Sequence, residues 1–168
     1  AALWSAEESL APPFLAYHLS GGTTELMLVE KIQRRPRFAF DYSVAASTLD
    51  IPAGQLVDRV GVALGLPFPA GPALQKLAEE LDQAKDSPAK PEKSIPTCCR
   101  GGRVSFSGGE AWAKRAIAQG AEPAQIARSI ERYIAVSLEK SVLQLAAEQK
   151  VNGVIFMGGV AANTYVRA

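Results

Sequence analysis

The apolar residues of this chain change their spacing part-way along, and that change restricts the fold more than any other feature. Before residue 43 they recur at every second position. Leu26, Leu28 and Ile32 alternate with Glu25, Met27 and Lys31, and Phe38, Phe40 and Tyr42 alternate with Ala39 and Asp41. From Pro52 onward they recur every three or four residues, as Leu56, Val57, Val60, Ala63 and Leu64. A period of two buries one face of a strand, and a period near 3.6 buries one stripe of a helix. A strand-forming part followed by a helix-forming part must place helices against a sheet. Residues 14–20 form a further apolar run that enters Gly21-Gly22. The expectation is a β-hairpin across that turn and a third antiparallel strand behind it.

Gly65 is a plausible stop for the helix that begins near Pro52. Pro67-Phe68-Pro69-Ala70-Gly71-Pro72 reads as a stiff loop, because each proline fixes its own φ and restricts its predecessor. A helix over about 73–82 follows, with Leu74, Leu77 and Leu81 on one face. Residues 83–103 hold three prolines and several lysines and read as a solvated, flexible excursion. Val104 and Phe106 flank Ser105 in a short strand. Ser107-Gly108-Gly109-Glu110 fits a capping box. A long helix starts near Pro123 and carries Ile126, Ile130, Ile134, Leu138, Val142 and Leu145 as one stripe. Arg128, Glu131, Arg132, Glu139 and Lys140 fall on its other face, and Asn152-Gly153 ends it. Val154 to Met157 is apolar throughout, which suits the buried middle of a sheet. Gly158-Gly159 turns into a last helix near Val160 or Ala161. The fold class is α/β: a mixed sheet with flanking helices, an RNase H-like lobe with a helical insertion.

The chain's 168 residues fit one domain, and a charged share of 21% against 48% hydrophobic argues against disorder. A net charge of +1 supplies no bulk field for nucleic acid or an anionic membrane. No apolar run approaches the roughly 20 residues of a membrane span, and no basic-then-apolar leader opens the chain. A cytoplasmic protein without membrane contact is expected. Cys98 and Cys99 are adjacent and read as free thiols in the flexible loop. His18, the single histidine, reads as a packed or edge residue and not a ligand. The chain opens Ala1-Ala2 and stops at Arg167-Ala168, so a piece excised from a longer protein is expected, with self-association through the bared apolar area.

Three places carry candidate chemistry. Ser20-Gly21-Gly22-Thr23-Thr24 offers backbone amides and hydroxyls to phosphate oxygens, although a plain hairpin turn is the commoner meaning of such a motif. Met157-Gly158-Gly159-Val160-Ala161-Ala162-Asn163 joins a strand to a helix start. It can bind an anion or simply allow tight packing. Asn163 is either a surface residue or a contact to a base or sugar. Asp58 sits among apolar neighbours. It either pairs with Arg59 or water, or accepts from ribose hydroxyls. Two glycine turns feeding one cleft are how the sugar-kinase, Hsp70 and actin superfamily grips a nucleotide. Arg34, Arg35 and Arg37 could touch nucleic-acid phosphates, but a solvated turn is the plainer reading.

Four blocks in order resemble the TsaD family, also called Gcp or YgjD and formerly O-sialoglycoprotein endopeptidase. They are Leu19 to Leu26, Leu64 to Pro72, Val104 to Gly108 and Gly158 to Asn163. The resemblance runs over essentially the whole chain and implies the carboxyl-terminal lobe of an ASKHA protein. It implies transfer of threonylcarbamoyl from threonylcarbamoyl-adenylate to a tRNA adenosine, with an adenine nucleotide as cofactor and tRNA and a TsaB-like protein as partners. By motif, Leu19, Ser20, Gly21, Gly22 and Thr23 would contact the adenylate, with Gly158 and Gly159 at the second turn. Asp58, Gly71 and Asn163 would hold ribose and base. The family has His where Thr23 stands, and its acidic helix start is altered here at Pro52 and Gln55. These altered motifs imply a divergent paralogue, and because the family's divalent-metal ligands and first lobe would fall outside this chain, the piece alone is expected to be inactive. The alternatives are a non-catalytic assembly module and, distantly, a metal-dependent glycoprotease.

Overall fold

The computed structural model describes residues 10–33, 39–83 and 94–167. Strands β1 (Phe14–Leu19), β2 (Thr24–Gln33) and β3 (Ala39–Ser47) form the expected antiparallel meander. Strand β6 (Val154–Met157) lies parallel to β1, which gives a mixed sheet in the order β3-β2-β1-β6. The basic run Arg34, Arg35 and Arg37 lies outside the described residues.

Helices α1 (Ala53–Ala63), α2 (Gly71–Gln83), α3 (Ser107–Ala118) and α4 (Pro123–Gln149) cover one face of the sheet. Leu15, Tyr17, Leu19 and Leu26 from the strands pack there with Leu56, Val60, Leu74 and the α4 stripe. Ile126, Ile130, Ile134 and Leu138 are all at most 3% exposed. Each such side chain contributes about 1.5–3 kcal/mol by leaving water, so α4 anchors the helical layer. The opposite sheet face carries a smaller cluster of Phe14, Ala16 and Val29. No helix among the described residues is long and apolar enough to cross a membrane.

Several local expectations are corrected. Strand β6 is an edge strand among the described residues, not a central one, and its Phe156 is 45% exposed. Its apolar run has another cause. Val154 packs on the helical layer, while Ile155 and Met157 pack on the cluster behind the sheet. Phe156 stacks on Tyr17 with ring centres 6.0 Å apart. Of the expected flexible excursion, residues 84–93 lie outside the described residues. Its later part forms a hairpin of β4 (Cys98–Arg100) and β5 (Arg103–Ser105), so the two free cysteines sit on a strand. Gly101 (φ 56°) and Gly102 (φ 72°) supply the left-handed turn that such a hairpin needs.

The capping box at Ser107 does not form. Asp50 serves the start of α3 instead: its Oδ1 accepts from the Phe106 amide at 2.7 Å and the Ser107 amide at 3.2 Å. Its Oδ2 accepts from the hydroxyls of Ser105 and Ser107 at 2.5 and 2.6 Å. Glu110 turns away to Arg59 (2.9 Å) and Lys114 (2.6 Å). Helix α4 stops at Gln149 because Lys150 adopts φ 50°, two residues before the expected Asn152-Gly153. Asn152 donates to the carbonyls of Ala11 and Pro12, tying that turn to the entry of β1. After β6 comes a 3-10 turn, Gly159–Ala162, and then the short helix α5 (Thr164–Arg167).

Candidate functional site: a cleft at the strand ends

Because β1 and β6 run parallel, their carboxyl ends reach the same rim of the sheet. Ligands of open α/β sheets gather at that rim. Each strand ends in one of the glycine turns, and the two turns touch. A Cβ on Gly158 would lie 2.2 Å from the carbonyl oxygen of Leu19, and Gly158 holds φ 102°. Only glycine satisfies both demands.

A third glycine joins them. Gly54, in the first turn of α1, is buried against the hairpin. A Cβ there would meet the Gly21 nitrogen at 2.6 Å and the Ser20 carbonyl carbon at 2.7 Å. Its own amide donates to the Ser20 carbonyl at 3.1 Å. Thr24 Oγ1 accepts from the Ala53 amide at 2.8 Å. The start of α1 is thus fastened to the first glycine turn. In the sequence the one signal for Gly54 is its place two residues after the helix-starting Pro52.

The cleft beside these turns has a volume of about 490 Å³, within the range of small-molecule sites. Gly21, Asp58, Gly71, Gly159 and Asn163 line it together, although they come from four separate stretches of sequence. The remaining sequence-predicted residues stand back from it. Leu19 is fully buried in the core. Ser20 Oγ accepts from the amides of Gly22 (3.3 Å) and Thr23 (3.0 Å), which spends those two donors on the turn itself. Gly158 is pressed against Leu19 behind the rim. His18 is half-buried on β1, between Glu25 and Met157 on the flanking strands.

Asp58 does not pair with Arg59, which reaches Glu110. Its Oδ1 accepts from the Ala70 amide at 2.8 Å and so pins the proline-rich loop. Its Oδ2 faces Gly21, 3.9 Å from where a Cβ would stand there. One carboxylate oxygen therefore organises the loop while the other faces the cleft.

Arg128 and Glu131, on the other face of α4 from the apolar stripe, are both buried. Glu131 is 1% exposed and lines the cleft. Its Oε1 accepts from Asn163 Nδ2 at 2.6 Å and its Oε2 from Arg128 Nη1 at 2.7 Å. Arg128 Nη2 reaches Asp82 and the Ala78 carbonyl of α2, and its guanidinium lies 4.3 Å from the centre of the Tyr165 ring of α5. Burial pushes the Glu131 carboxyl above the usual range; Asn163 and Arg128 draw it back, while Glu79 and Asp82 add to the rise. Helical spacing along α4 could not reveal this, because the cover comes from α2 and α5. Among the described residues, no group of three or more His, Cys, Asp and Glu side chains could hold a metal. Both oxygens of Glu131 and one of Asp58 already accept from N–H donors, so these side chains do not assemble a metal site.

Comparison with known proteins decides the family. The family described as TsaD: tRNA N6-adenosine threonylcarbamoyltransferase matches residues 1–168. The chain belongs to this family. The tRNA N6-adenosine threonylcarbamoyltransferase of Sulfurihydrogenibium sp. (strain YO3AOP1) is 35% identical over 156 residues, 92% of this chain and 43% of that protein. The one from Thermus thermophilus is 35% identical over 164 residues, 97% of this chain and 46% of that protein. The chain therefore spans less than half the length of these relatives. Among solved structures, the activator of 2-hydroxyisocaproyl-CoA dehydratase from Clostridium difficile, with bound ADPNP, superposes with a TM-score of 0.52 at 16% identity. That match covers 94% of this chain and 50% of the activator, and it supports the RNase H-like, ASKHA-type lobe as the fold of this TsaD-family chain.

Proposed function

We propose that this lobe of the TsaD-family protein grips the adenylate of threonylcarbamoyl-adenylate. The parent protein then transfers the threonylcarbamoyl group to the amino nitrogen of a tRNA adenosine. The segment supplies the nucleotide grip and not the complete enzyme. In this reading the phosphate end lies by Gly21 and Gly159, where no side chain intervenes and backbone amides can donate. Asp58 Oδ2 accepts from ribose hydroxyls. Gly71 leaves open space beside them, since a Cβ there would meet nothing within 4 Å.

One observation carries the proposal: Gly21, Asp58, Gly71, Gly159 and Asn163, five of the ten residues named as candidates from the sequence, line a single cleft. Calorimetric titration of AMP and ATP into the full-length protein tests it. Asp58→Asn keeps an oxygen for the Ala70 amide but turns the cleft-facing atom into a donor. A hydrogen bond to a charged group contributes about 1.5–3 kcal/mol, so affinity should fall about 10- to 100-fold without loss of stability. Equal binding by both proteins would remove Asp58 from the site.

A further inference from the structure

Asn163 is held at both ends of its amide. Its Oδ1 accepts from the Val166 amide at 2.9 Å, and its Nδ2 donates to Glu131 Oε1 at 2.6 Å. A backbone amide can only donate, so Val166 fixes Oδ1 on its side and leaves Nδ2 facing Glu131. Turning the amide over would set two donors and two acceptors against each other. Asn163 lines the cleft, and its carbonyl is already in use. Its Nδ2 keeps a second hydrogen for a ligand, and its Oδ1 keeps a second lone pair.

We propose that Glu131 fixes the orientation of the Asn163 amide, so that its second Nδ2 hydrogen is presented to an acceptor atom on the ligand. Glu131 is a positioning residue in this role. It is held in turn by Arg128, which Asp82, the Ala78 carbonyl and the Tyr165 ring fix from α2 and α5. A buried carboxylate with this many fixed partners has one arrangement to choose from, and that rigidity passes to the amide. For an adenylate, the acceptor is a ring nitrogen of the base or a ribose oxygen. The inference rests on the nucleotide reading for its ligand, but not for its geometry.

A double-mutant cycle on the full-length protein with AMP as the probe tests it. Glu131→Met removes the acceptor at similar volume and should weaken AMP binding about tenfold, the worth of one well-placed hydrogen bond. In an Asn163→Ala background the same change should have less than about a twofold effect. Glu131→Gln, whose oxygen can still accept from Asn163, should recover most of the loss. Equal losses with and without Asn163 would overturn the proposal. A second measurement needs no ligand. With isotope-labelled asparagine, the Asn163 side-chain amide of the free protein should exchange slowly in wild type and Glu131→Gln and fast in Glu131→Met. Fast exchange in wild type would also overturn it. Absence of AMP binding together with a protected amide would sink the nucleotide reading and leave the fixed amide orientation standing.

Discussion

Gly54→Ala turns a change that should stabilise a helix into one that damages the site. In a solvent-exposed helix, alanine gains about 0.8–1 kcal/mol over glycine. Here the new Cβ would sit 2.6 Å from the Gly21 nitrogen and 2.7 Å from the Ser20 carbonyl carbon and oxygen. All three are backbone atoms, so no side chain can rotate out of the way. The start of α1 must part from the glycine turn by several tenths of an ångström. Overpacking of this kind costs about 1–3 kcal/mol. Stretching the Gly54 amide to Ser20 carbonyl bond, 3.1 Å in the native arrangement, costs up to about 1 kcal/mol more. Against the gain in propensity, the net is about 2 kcal/mol of destabilisation. Urea unfolding of the full-length protein, followed by circular dichroism, should show a lower midpoint, and AMP binding should weaken because Gly21 moves. An unchanged or higher midpoint would show that the α1 start is not fastened to the turn, and the account of the cleft would fail with it.

Gly71→Ala is the contrasting case. Its Cβ meets nothing within 4 Å, so stability should rise by about 0.4–1 kcal/mol, while AMP affinity falls because the methyl group enters the cleft. A stability gain with unchanged affinity would place the ligand elsewhere. Asp50→Ala removes the acceptor that four N–H and O–H groups of residues 105–107 share. Partial burial pushes the Asp50 carboxyl up, but its hydrogen bonds with Ser105, Ser107, Phe106 and Ile51 outweigh it and hold it below the ordinary 3.8. A depressed carboxyl stabilises the fold above its unfolded value and loses that contribution as pH falls through the folded one. Wild type should therefore lose stability on acidification in that window more steeply than Asp50→Ala, and parallel acid titrations would contradict this. Tyr17 is buried, donates to Ser141 Oγ at 3.2 Å, and burial raises its phenol to about 12. Its phenolate absorbance should be missing until that pH, and appearance near pH 10 would show that the core side of β1 is open to solvent.

The amino-acid pattern alone determined the meander, the α4 stripe and the two glycine turns. These depend on periods of two and 3.6 and on glycine's conformational freedom, all local properties of the chain. It also named Asp58, Gly71 and Asn163 through their motif. Tertiary structure decided the rest. An apolar tetrapeptide such as Val154 to Met157 has the same pattern in the middle of a sheet as at its edge, so position in the sheet was not legible. Capping of α3 by Asp50 depends on an approach across the fold that no local spacing encodes. Arg128 and Glu131 look solvent-facing along α4, and only the arrival of α2 and α5 buries them and aims their charge at Asn163. Periodicity tells a helix which side is apolar; what lies against its polar side is set by where the other elements come to rest.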